Sequence, residues 1–140
     1  MFERLDGDDV AWLDDGSIIE TEWRNASDPD WFDAWFGDQL VAGRVELLSV
    51  RTQAALIKAL ETSCGFPKTG RDKWYVRVAA TRAEDAGTKV LLVSEDLDFY
   101  EPKAKAGGGN RAKILEKCAG CVVKKLKAHD VQVATVAACV

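Results

Sequence analysis

Hydrophobic and polar positions change period several times along this chain, and the changes mark its elements. The apolar segment VAWL at residues 10–13 stops at Asp14, Asp15 and Gly16, the pattern of a short buried strand that ends in a turn. Ser17 is placed to cap a helix, because Ile18, Ile19, Glu22 and Trp23 after it fall at helical spacing. Asp28 and Pro29 then open a second helix with Trp31, Phe32, Trp35 and Phe36 on its apolar side. RVELLSV at 44–50 has the length and β-branched ends of a second strand. Residues 52–63 carry Ala and Leu at helical spacing and stop at Cys64, Gly65, Phe66 and Pro67; after the loop KTGR another helix runs from Asp72 to a stop at Gly87. KVLLVS at 89–94 is a near-continuous aliphatic run between turn residues, as in a strand covered on both faces. EPKAKAGGGN at 101–110 reads as a mobile Gly-rich loop, followed by a helix over 111–128 and a last strand, VQVATV, at 131–136.

Strands that alternate with helices, too far apart for hairpins, pair in parallel through helical crossovers. The expected fold is therefore α/β, a three-layer α/β/α sandwich around a mainly parallel sheet. Residues 1–8 form a flexible lead-in and 9–140 a single domain. With 47% hydrophobic residues and only 3 prolines, the chain is not a disordered tail, and 140 residues bury a core without needing disulfides or a structural metal. In open parallel sheets, chemistry collects beyond the carboxyl ends of the strands.

Two of the predicted strands end there in acids. Asp14 follows the first strand, and Asp96 and Asp98 follow strand 89–94 after Ser94 and Glu95. Glu22 lies about two turns into the first helix, and Asp72 opens a later one. Carboxylates packed together raise one another's pKa unless a cation neutralises them. A donor set of oxygens without Cys or His selects Mg²⁺ or Mn²⁺ and suits phosphodiester hydrolysis, in which the ion activates water and stabilises the leaving oxygen. Each acid also has a purely structural role open to it: Asp72 as a helix cap, Asp14 or Asp15 as a turn residue, Glu20 and Glu22 as decoration of a solvated helix face.

Three segments, VAWLDDGSIIETEW, DKWYVRVAA and KVLLVSEDLDFYEP, resemble in that order the PIN-domain family of metal-dependent nucleases, over roughly residues 9–136. The resemblance implies that Asp14, Glu22, Asp72 and Asp96 are catalytic acids. With Asp98 beside them they would hold Mg²⁺ or Mn²⁺, supported by Ser94 and Asp15. It also implies an endoribonuclease, with RNA a better substrate than DNA. The opening has two adjacent aspartates and an early glutamate, unlike the toxin members. It is similar instead to a PIN-like branch with a D-D-x-x-x-I-x-x-E-[YW] opening, which leaves Asp14 against Asp15 and Glu22 against Glu20 open. The competing reading is a PIN-like module without catalysis that binds nucleic acid or a partner protein. A phosphorylated receiver domain would need a lysine at the end of a late strand, and VQVATV has none.

Charge sharpens the picture. Residues 1–50 carry 13 acids against 3 bases and residues 101–140 carry 3 acids against 8 bases, so the net charge of -4 conceals two ends of opposite sign. Lys103, Lys105, Arg111 and Lys113, with Lys117, Lys124, Lys125 and Lys127 after them, follow the acids of strand 89–94 and are candidates to hold nucleic-acid backbone phosphates, the alternative being a solvated lysine-rich face. Trp23, Trp31, Trp35 and Phe36 suit core packing or a homodimer surface better than base stacking. No apolar run nears the ~20 residues of a membrane span and Met1 heads an acidic segment, so a cytoplasmic protein off the membrane is expected. There, Cys64, Cys118, Cys121 and Cys139 would be reduced, with Cys118 and Cys121 as packing groups on one helix rather than zinc ligands, and His129 would be exposed.

Overall fold

Strand β1, Ala11–Asp14, ends where the paired aspartates predict a turn, and it pairs in parallel with β2, Val45–Leu48, with Ala11 opposite Val45 and Asp14 opposite Leu48. The computed structural model describes residues 9–106, 110–135 and 137; the lead-in over 1–8, the three glycines at 107–109, Val136 of the expected last strand and Cys139 lie outside them. The β1–β2 crossover is made by α1, Ile18–Asn25, and α2, Pro29–Val41. Asp28 caps α2 by accepting the Trp31 N–H at 2.9 Å, and Pro29 gives up a donor that no carbonyl would have met. On α2, Phe32 and Phe36 are buried, while Trp31 stacks on Trp35 with ring centroids 5.9 Å apart.

Helix α3, Ala54–Ala59, continues as a π-helical turn, Leu60–Cys64. Helix α4, Asp72–Ala86, then leads to β3, Val90–Val93, which pairs in parallel with β4, Val131–Ala134. Between these strands lie a 3₁₀ turn, Leu97–Phe99, and helices α5, Pro102–Ala106, α6, Arg111–Lys117, and α7, Cys121–Lys127. The described residues thus form a mixed α/β fold with two two-stranded parallel sheets, where one sheet was expected, and no ladder between β1 and β3 joins them. Helix α4 joins them instead. It packs on β1 and on both β3 and β4. Its Val78 belongs to a core with Leu13, Ile19, Phe32, Phe36 and Val45. Its Val76, Ala79, Ala80 and Ala83 belong to a second core with Leu60, Phe66, Tyr100 and Leu126, and Tyr75 packs on both.

Three further expectations are corrected. A helix, α5, occupies the first part of the segment expected to be a loop. The helix expected over 111–128 is broken between α6 and α7, where Cys118 has φ 48° and Gly120 φ 140°. A Cβ on Gly120 would overlap the Tyr100 carbonyl oxygen, so the close approach of two remote segments, and not local propensity, sets the break. Cys64 and Cys121 form a disulfide with Cα atoms 5.4 Å apart, because the π-helical turn and the start of α7 lie side by side. Cys118 is a free thiol at the end of α6. Among the described residues, no helix is long and apolar enough to cross a membrane.

Candidate metal centre

The segment after β3 is folded on itself by short-range polar bonds. Ser94 N–H extends the ladder to the Ala134 carbonyl at 3.0 Å, and Ser94 Oγ accepts the Asp96 N–H at 3.0 Å. Asp96 Oδ1 in turn accepts the Asp98 N–H at 2.9 Å and so caps the 3₁₀ turn, a bond that aspartate makes readily to the backbone two residues on. Tyr100 Oη donates to the Ser94 carbonyl at 2.7 Å. Leu97, Phe99 and Tyr100 are buried around the turn, and Asp98 between them is only 8% exposed.

Asp72, the first residue of α4, faces this turn. One carboxylate oxygen each from Asp72, Asp96 and Asp98 lies within 4.8 Å of the others. Although a helix N-terminus favours negative charge, the Asp72 carboxyl is pushed up from 3.8 to about 6. Burial is the main cause, followed by the charges of Asp96 and Asp98, a hydrogen bond to Asp98, and the charge of Glu22. Below about pH 6 a proton on Asp72 relieves the repulsion in the protein alone.

Glu22, on α1, stands outside the aspartate trio but near enough for its charge to be felt there. Its charge acts on both Asp72 and Tyr75, whose hydroxyl is pushed up first by burial and then by Glu22. Glu22 Oε2 is buried and has no hydrogen-bond partner among the described residues, a state that costs free energy until a proton or a cation meets it. Glu20 instead contributes its charge to Arg24, away from this cluster. Three converging aspartates, an adjacent buried glutamate oxygen and a donor set made only of oxygens together fit a hard divalent cation such as Mg²⁺ or Mn²⁺.

The remaining expected residues stand outside this trio. Asp14 is 1% exposed and stands outside the aspartate trio; its Oδ2 accepts the Ile18 N–H at 2.8 Å and its Oδ1 the Ile19 N–H at 2.9 Å. It therefore does the capping expected of Ser17, which has φ 63° and makes no side-chain cap bond. Asp15 is exposed, and its N–H donates to the Leu48 carbonyl at 2.8 Å. Arg111 Nη2 donates to the Glu95 carbonyl at 2.7 Å, which ties the start of α6 to the acidic turn. Lys103 Nζ donates to the Ser63 carbonyl at 3.4 Å, Lys113 is exposed on α6, and the Lys105 side chain lies outside the described residues. His129 is exposed beside β4.

Sequence reasoning missed Tyr75, whose hydroxyl accepts the Trp23 Nε1–H at 3.2 Å next to Glu22. Its position three residues after Asp72 places both on one face of α4 and was the available signal. Against protein-family models, curated proteins and solved structures the chain shows no match, so the fold and the carboxylate geometry carry the functional reading by themselves.

Proposed function

We propose that this protein is a PIN-like nuclease dependent on Mg²⁺ or Mn²⁺ and acting on RNA in preference to DNA, with its two short parallel sheets and flanking helices as the counterpart of the family's three-layer sandwich. The observation that carries the reading is the convergence of Asp72, Asp96 and Asp98 from α4 and the turn after β3, with Glu22 beside them. A bound divalent cation would supply positive charge to the scissile phosphodiester and acidify water there. The protein's own part is to hold four carboxylates in place before the ion arrives. Ser94 fixes the backbone of Asp96, Asp96 fixes that of Asp98, and the buried 3₁₀ turn keeps both aimed at α4. Below about pH 6 Asp72 carries a proton that cation binding must displace, so occupancy would fall as pH drops through that value.

The direct test is cleavage of end-labelled single-stranded RNA with Mn²⁺, with and without chelator. Asp96→Asn should reduce cleavage by roughly a hundredfold or more while the fold persists, in line with the loss of a catalytic electrostatic group. Full activity in that variant would refute the assignment.

A second reading is favoured by one observation, the use of both Asp14 oxygens by the amides of α1. On that reading the protein is a PIN-like module that binds nucleic acid or a partner protein without cutting. Mn²⁺-dependent protection against heat without any RNA cleavage would support it over the nuclease.

A further inference from the structure

Four lysines that the carboxylate site does not use border a groove at the α6–α7 break. Two shallow concavities, of about 490 and 260 Å³, share Glu101 and Gly120 in their walls and so adjoin, together making one open channel wide enough to consider for a strand. Lys124 and Lys125 of α7 border the larger part, and Lys113 and Lys117 of α6 border the smaller. All four are exposed and none makes an ion pair with a described residue. Glu101 is the acid in the walls, and its Oε2 already accepts the Cys121 N–H at 3.1 Å. Lys113 and Lys117 stand one helical turn apart, about 6 Å along the axis, where like charges weaken a helix. Two helices thus set four lysines around one groove whose walls hold a single described acid.

The floor of the channel is firm. Gly120 lies against the Tyr100 carbonyl, which accepts the Val122 N–H at 3.0 Å, and Cys121 is bonded to Cys64. Tyr100 and Glu101 directly follow the acidic turn, and Arg111 at the head of α6 is bonded to Glu95 within it. We infer that this channel is a track for the phosphodiester backbone of single-stranded nucleic acid, which lays the strand beside the acidic turn. Among the described residues no aromatic side chain lines it, so these offer no platform for bases. Lysines act here as point charges, and recognition is of backbone charge and not of sequence. The direction of the track toward the carboxylates rests on the nuclease reading; the binding itself does not.

Binding of fluorescein-labelled oligouridylate to the full chain, measured by anisotropy in chelator so that nothing is cut, tests this. Lys124→Glu/Lys125→Glu and Lys113→Glu/Lys117→Glu should each weaken binding at least tenfold at low salt and lower the salt-dependence slope by about 1.4, at ~0.7 per phosphate contact on a single strand. Lys89→Glu, an exposed lysine next to β3, should leave binding unchanged, and oligoadenylate and single-stranded DNA of equal length should bind as oligouridylate does. Intact binding in both double variants would overturn the track, as would an equal loss in Lys89→Glu. Displacement of the strand by equimolar inorganic pyrophosphate would overturn it in favour of a small-anion pocket. Lysine-dependent binding together with no cleavage by the wild type would sink the nuclease and leave the track standing.

Discussion

The two halves of this molecule are built by different means. Around β1 and β2 the core is small and strongly aromatic, with Phe32 and Phe36 stacked at 5.3 Å between centroids, and no covalent bond crosses it. Around β3 and β4 the core is larger, with Phe66, Phe99 and Tyr100 packed among aliphatic residues of α3, the π-helical turn, α4, β3, α7 and β4, and it is closed by the Cys64–Cys121 bond. Helix α4 belongs to both. The carboxylates follow the same division: Glu22 comes from the first half, Asp96 and Asp98 from the second, and Asp72 from the shared helix. A site assembled on a seam depends on the relative position of the halves, whereas the acidic turn keeps its own shape through bonds within six residues.

The largest effect that separates the halves should come from the disulfide. Cys64→Ser should cost about 4 kcal/mol by the chain-entropy account of a loop of this length. Urea unfolding should show the same loss on adding reductant to the wild type, and an unchanged midpoint in reductant would rule the account out. Next come two neighbours on α4. Val76→Ala and Val78→Ala should each cost about 2 kcal/mol through lost burial and a residual cavity. Hydrogen exchange should then loosen β3 and β4 in the first variant and β1 and α1 in the second; identical exchange patterns would show that the two cores unfold as one.

The smallest effect concerns the seam itself. The Asp72 carboxyl ordinarily titrates at 3.8 and does so at about 6 in the fold, so the folded protein holds this proton more tightly than the unfolded chain. Its contribution to stability is complete below 3.8 and is lost as the pH rises through about 6. At neutral pH in chelator, Asp72→Asn should therefore raise the melting temperature by roughly 2–4 °C, the exchange of stability for function expected where like charges are gathered. The same variant should lose any melting shift caused by Mn²⁺. A lower melting temperature in chelator would mean that Asp72 supports the helix and is not strained by its neighbours.

Much of the fold was legible in the sequence wherever the signal is local. The apolar runs at 10–13 and 89–94 locate β1 and β3 to within a residue or so, and the acids after the second run sit in a turn whose bonds span two residues. Asp72 at the head of a helix was legible for the same reason. Features set by contact between remote segments were not. Gly120 looks like an ordinary helix glycine until Tyr100 is placed against it, and the pairing of Cys64 with Cys121 depends on where the π-helical turn lies. The cap of α1 was not legible either: Ser17 takes a left-handed conformation and leaves the amides of Ile18 and Ile19 to Asp14, an acid three residues earlier. The separation into two sheets arises from strands of only four residues each, too short for their apolar pattern to tell which neighbour they pair with.

The bond from Cys64 to Cys121 makes a covalent hoop, and Asp72, Asp96 and Asp98 are all threaded on it. A protease that nicks the backbone once inside this circuit produces two pieces that still travel together on a non-reducing gel. The three aspartates stay tethered to one another, and only reduction sets them apart.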